Sequence, residues 1–151
     1  MLAFYFSATN KRLRYSDNRK IKTGKTHKVS GKIEPCFNGL HASTRLMDAL
    51  NYAPGGYLWI VKLGGDIVEN HNKCTASERT YLAGFNAEKM LREFARRQAL
   101  INIEKIKPYC TKPEYKLILE WIETGKEDLR SAADSAAYFA ACSAACSTEV
   151  L

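Results

Sequence analysis

The sequence predicts an α+β protein, with a small mixed β-sheet and one inserted helix over residues 1–84 and a helical region over residues 86–151. Two observations set the division. Up to Gly84 the apolar residues fall in short aromatic and β-branched runs punctuated by Gly, Pro, Asn and Asp, the pattern of strands and turns. From Asn86 onward they recur at three- and four-residue spacing, the period of amphipathic helices. Charge is divided as well. Residues 1–32 hold nine Lys and Arg against one Asp, whereas the rest of the chain sums to −1.

At 151 residues, 46% of them apolar, the chain suffices for one domain or a domain with a helical appendage. No apolar run nears the ~20 residues that span a bilayer, and no signal-like apolar stretch opens the sequence, so a cytosolic location is expected. The five cysteines (Cys36, Cys74, Cys110, Cys142, Cys146) are scattered and odd in number, which reads as reduced thiols. His71 with Cys74, and Cys142 with Cys146, lack the second tight pair that a zinc site needs, so no metal is expected.

In chain order, Leu2–Ala8 is a buried strand, and Asn10–Lys20 is a basic segment turning at Ser16-Asp17-Asn18. Residues 21–33 suit two short strands or a bent hairpin. The turn Glu34–Gly39 leads into a short strand at Leu40–Ser43. Ser43 or Thr44 is placed to cap a helix over Arg45–Tyr52, where Leu46, Ala49, Leu50 and Ala53 make one apolar face. Pro54-Gly55-Gly56 ends it. Tyr57–Leu63 reads as a central strand buried on both faces, Gly64-Gly65-Asp66 as a turn, Asn70–Ser77 as a polar loop, and Glu78–Leu82 as a last strand.

Asn86 caps the first long helix, with Met90, Leu91, Phe94, Leu100 and Ile101 toward the core. Pro113 opens the next and Gly125 closes it. Beyond it, Ala-Ala pairs at 132/133, 136/137, 140/141 and 144/145 repeat every four residues, a small-residue stripe that lets another helix approach. That stripe is expected to dock on its own chain or to support self-association.

Most of the polar residues suited to chemistry lie between Asn38 and Glu78: His41, Ser43, Tyr52 and Glu78. A strand–helix–strand unit can bring them to one crevice. The run G-L-H-A-S-T-R-L-M-D-A-L-N-Y-A (39–53) resembles the segment G-[LIF]-Y-F-A of the ADP-ribosyltransferase superfamily with its following helix. Y-L-W-I-V-K-L-G-G-D-I-V (57–68) is similar to that family's central strand, and S-E-R-T-Y-L (77–82) to the strand that opens on its catalytic glutamate. The resemblance implies an ADP-ribosyltransferase-like core, NAD as the cofactor if the protein is an enzyme, and Tyr52 and His41 as the walls of the nicotinamide slot. It implies Ser43 as a further cofactor contact, and Glu78 as the catalytic carboxylate that stabilises an oxocarbenium-like transition state.

The family's first strand carries a His-Gly-[ST] or an Arg motif that grips the NAD ribose. Here it reads F-Y-F-S-A-T (4–9), where Tyr5, Ser7 or Thr9 would stand in. P-C-F-N-G-L-H-A-S (35–43), D-A-L-N-Y-A-P-G (48–55) and A-S-E-R (76–79) resemble small phage and prophage accessory proteins more closely. That resemblance implies a viral or mobile-element accessory protein, active in the cytoplasm of a bacterial host. The missing first-strand motif favours a catalytically degenerate module that binds and inhibits a host defence machine, of anti-CRISPR or anti-restriction type. Two alternatives stand beside it: an active NAD-dependent mono-ADP-ribosyltransferase acting on a host protein or nucleic acid, and a structural phage protein. The expected partner is a host protein or ribonucleoprotein complex, with nucleic acid gripped through Arg12, Arg14, Arg19, Lys20, Lys22 and Lys25. A solvated basic hairpin that blunts a sheet edge accounts for the same charges.

Overall fold

The structure is a computed structural model that describes residues 1–148, with side chains as far as Ala145. Cys146, expected as a reduced thiol, lies outside the described side chains. The chain divides into two compact units, Met1–Glu88 and the residues from Lys89 onward.

The first unit is a five-stranded sheet: β1 (Leu2–Ser7), β2 (Thr26–Lys28), β3 (Leu40–Ala42), β4 (Tyr57–Glu69) and β5 (Cys74–Asn86), with helix α1 (Leu46–Leu50) between β3 and β4. The order is β1-β4-β5-β2, and β3 also lies on β5, which holds β3 along residues 74–76 and β2 along 78–80. Every pairing is antiparallel, which corrects the expected mixed sheet. The reason is topological: the connections long enough for a parallel crossover, residues 8–25 and 43–56, join strands that are not neighbours. One further bridge couples Phe4 to Ser43, with Phe4 N–H donating to Ser43 O (2.7 Å) and Ser43 N–H to Phe4 O (3.0 Å). The path β1-β4-β5-β3 thereby returns on itself.

β4 and β5 are longer than the sequence suggests, 13 residues each. Gly64-Gly65-Asp66 does not turn the chain. It carries a bulge inside β4, with Gly65 in the left-handed region (φ 66°) and the Asp66 amide bonded to Ser77 Oγ at 2.9 Å. The reversal comes later, where Asn70 N–H donates to Lys73 O at 2.9 Å, so β5 begins inside the expected polar loop.

Alternation along the strands sets the core. Trp59, Val61 and Leu63 of β4, Tyr81 of β5, Ala3 of β1 and Ile21 are buried, and Leu40, Ala42, Cys74 and Ala76 extend the cluster under β3. Ile60 and Lys62 face outward, so β4 is covered on one face there and not on both. Trp59 sits opposite Gly84 and its indole N–H donates to buried Ser7 Oγ at 3.0 Å. A Cβ on Gly84 would overlap the Trp59 ring.

The second unit contains α2 (Glu88–Asn102), a 3-10 segment (Ile103–Tyr109), α3 (Lys112–Thr124) and α4 (Glu127–Thr148). The expected punctuation is present, with Asn86 Oδ1 accepting the Glu88 amide at 3.0 Å and Gly125 ending α3 with φ 66°; Thr111 and Glu114 add a capping box that the sequence reading did not name. Ala136 of the small-residue stripe packs with Ile118 and Ile122 of α3, so α4 docks within its own chain. Along α2, Met90, Phe94 and Ile101 are exposed rather than core-facing, because only its last turn, at Leu100, packs on that cluster. No helix among the described residues is long and apolar enough to cross a membrane.

Candidate functional site

A cavity of about 420 Å3 opens in the first unit between β1, β3, the segment after α1 and the loop at residues 13–17. Its size is that of a small-molecule site. Tyr5, Leu40, His41, Ser43, Tyr52, Lys73 and Arg79 line it, with Arg14, Tyr15 and Asp17 contributed by the loop.

Arg79 is its chemical centre. The residue is 2% exposed and no carboxylate pairs with it among the described residues. Its guanidinium lies 3.7 Å from the centroid of the Tyr5 ring, and its Nε and Nη2 both donate to Tyr81 Oη, at 3.0 and 2.7 Å. Its Nη1 donates to the His41 carbonyl, so β5 reaches across to β3. Neutral acceptors and an aromatic face hold the cation in place without cancelling its charge. Burying a charge without a counter-ion is costly, and the arrangement leaves the site short of one anion.

The hydrogen bonds continue inward. Tyr81 Oη accepts twice from Arg79, so its own proton is the one shared with buried His27 Nδ1 at 3.1 Å. That assignment puts the imidazole proton on Nε2, which has no partner among the described residues. Burial, then the positive charges of Arg19, Lys25 and Arg79, lower the His27 pKa to about 4, and only Asp17 opposes them. His27 is therefore neutral beside the buried cation. Burial lowers the pKa of His41 as well, followed by the charges of Lys73 and Arg79.

The rim is cationic and aromatic. Lys73 Nζ lies 5.3 Å from the Tyr52 ring centroid and donates to Cys36 Sγ at 3.0 Å, a bond that raises the Lys73 pKa. The Cys36 amide donates to His41 Nε2 at 3.3 Å, which ties the turn at residues 34–38 to the cavity wall. Tyr52 Oη donates to Asn72 Oδ1 at 2.9 Å. Opposite, Arg14 packs on Tyr15, itself 88% exposed. Asp17, the one carboxylate among the lining residues, is taken by a two-point bond from Arg19 (2.6 and 2.8 Å), which holds its pKa low.

Of the residues picked from the sequence, Tyr5, His41, Ser43 and Tyr52 meet at the cavity. Ser7 is buried against Trp59 and is not among the lining residues. Glu78 is not among them either. Its carboxylate accepts from Lys28 Nζ at 2.6 Å, and it stands across from Gly64, one residue out of step with Arg79. The basic set divides: Arg14 lines the cavity, Arg19 is held by Asp17 and the Lys28 carbonyl, and Arg12 bonds the Asn18 carbonyl. Lys20, Lys22 and Lys25 are exposed and make no ion pair among the described residues.

The sequence reading missed Arg79, Lys73 and Tyr15. Parity was the available signal for the first, since Arg79 and the core residue Tyr81 are two apart on one strand and so share a face, while Glu78 takes the other. No curated protein and no solved structure matches the chain. A family profile matches residues 5–93, a stretch that holds every lining residue except Phe4; the chain belongs to that family, a domain of unknown function (DUF7666).

Proposed function

We propose that this protein is a binding module for an anionic, nucleotide-type ligand, a degenerate relative of the ADP-ribosyltransferase design that acts by binding rather than by consuming NAD. Arg79 carries the reading. It is a buried guanidinium without a counter-charge, on the wall of an aromatic cavity, and a phosphate supplies the missing anion with two-point geometry. Tyr5 beside it and Tyr52 at the mouth add flat apolar surface for a ring. Glu78, paired to Lys28 outside the lining, favours binding over transfer, because a catalytic carboxylate has to reach the reacting ribose. In a phage or prophage accessory protein, such a module serves to occupy and inhibit a host defence complex.

Calorimetric titration with NAD and ADP-ribose tests this on the parent chain and on Arg79→Met and Tyr52→Ala. Binding is expected in the parent, a loss of at least about tenfold in Arg79→Met, consistent with removal of a charge-assisted pair, and a smaller loss in Tyr52→Ala. No NAD should be consumed. NAD turnover that disappears in Glu78→Gln would replace this reading with the enzymatic one, and binding indifferent to Arg79 would end it.

A further inference from the structure

We infer that the mouth of the cavity is a landing site for single-stranded nucleic acid, with one phosphate taken by Arg79 and the neighbouring bases laid on the exposed rings around the rim. The inference rests on the anion-binding reading of Arg79 and names the partner that the surroundings fit.

Three observations carry it. The first is a pair of exposed rings. Tyr15 is 88% and Phe37 86% exposed, more than any other aromatic side chain among the described residues, so both rings are open to a flat partner. Tyr15 lines the cavity, and Phe37 follows Cys36, whose amide and sulfur are bonded to the lining residues His41 and Lys73.

The second is the backbone that holds Tyr15 out. Lys11, Tyr15, Ser16 and Asn18 all adopt left-handed φ values between 52° and 68°, each an uncommon state for a residue other than glycine. The loop closes on itself through the Arg12–Lys20 bridge, and Leu13 is rooted in the core cluster. The ring is therefore presented by a built loop.

The third is charge. Lys20, Lys22, Lys25 and Lys32 are exposed without ion pairs among the described residues, on the same basic segment that supplies the cavity with Arg14. Within the cavity Asp17 is already neutralised by Arg19. Unpaired cations on the segment between two exposed rings suit a surface that tracks a phosphate backbone while unstacked bases lie on aromatic faces. A duplex keeps its bases stacked on one another and cannot use the rings.

Fluorescence anisotropy with a labelled oligothymidylate of about ten nucleotides, a length suited to such a surface, tests the inference on the whole chain. The single strand should bind, and affinity should fall steeply between low and moderate salt. Tyr15→Ala and Phe37→Ala should each weaken binding by about tenfold or more, the loss of one stacked base. Both side chains are exposed, so neither change threatens the fold. Phe37→Ala, outside the cavity lining, should leave ADP-ribose binding unaltered. Equal binding of a duplex of the same length, or of ring-free polyphosphate, overturns the inference, as does indifference to both aromatic changes. If ADP-ribose binds and the oligonucleotide does not, the inference fails while the anion site stands; if neither binds, both fall.

Discussion

Arg79 is the position at which the sheet carries an uncompensated buried charge. Its guanidinium is buried without a carboxylate, so the protein bears a desolvation cost that a ligand would relieve. Arg79→Met keeps the length and flexibility of the side chain and removes the charge. Chemical denaturation should find that variant within about 2 kcal/mol of the parent or more stable, as for other buried charges replaced by apolar residues. A collapse of the fold would mean that the bonds to Tyr81 and His41 O matter more than the charge. His27 adds a pH dependence. Its folded pKa of about 4 lies below the unfolded value of 6.5, so the unfolded chain binds the proton first as pH falls. Stability is thus full above about 6.5 and is lost on the way down through about 4, by an amount on the order of 3 kcal/mol. Urea denaturation at neutral and acid pH should record that loss, and His27→Gln should remove most of it, with His41 contributing the remainder in the same direction. At this scale the sequence was informative about residue types and less so about sides. His41, Ser43, Tyr52 and Tyr5 converge as expected. Arg79 joins them and Glu78 does not, because a strand turns alternate residues to opposite faces and Arg79 shares its face with the core residue Tyr81.

Among the elements, the β4–β5 hairpin is where the local pattern misleads. Gly-Gly-Asp is ordinarily a turn, and here Gly65 provides the left-handed step of a bulge that lets the strand continue to Glu69. Polar residues at 74–77 resemble a loop, yet Cys74, Thr75 and Ala76 are buried because β3 and β4 cover them on either edge, a long-range effect that no local window contains. Boundaries of the later helices were more legible, since caps are local chemistry: Asn86 and Gly125 stand where the sequence puts them, whereas α1 starts after Arg45 with no side-chain cap from Ser43 or Thr44. The close approach of Trp59 to Gly84 yields a direct test. Gly84→Val should destabilise the first unit by about 1–3 kcal/mol through overpacking, seen as a lower denaturation midpoint, and an unaltered midpoint would mean that the indole moves aside freely.

For the whole molecule, the family profile ends at residue 93, close to the end of the first unit at Glu88, so the matched stretch is essentially the first unit. The helical unit has its own core, made by the alanine stripe on α3. Ala136→Leu places a large side chain where Ile118 and Ile122 already meet the helix. It should cost the second unit about 1–3 kcal/mol while leaving ADP-ribose binding unchanged. Helicity followed by circular dichroism during unfolding, alongside calorimetry, separates the two effects. Loss of ligand binding in that variant would show that the two units are energetically coupled.

The bridge between Phe4 and Ser43 has a kinetic consequence. The path of strands around the cavity is completed at that point by two backbone hydrogen bonds, and both residues line the cavity. Such a seam is the weakest stitch in an otherwise continuous ladder, and parting it frees two bonds while every longer pairing stays intact. The amides of Phe4 and Ser43 should then exchange with deuterated solvent sooner than those within the β4–β5 ladder, and slow down when the cavity is filled.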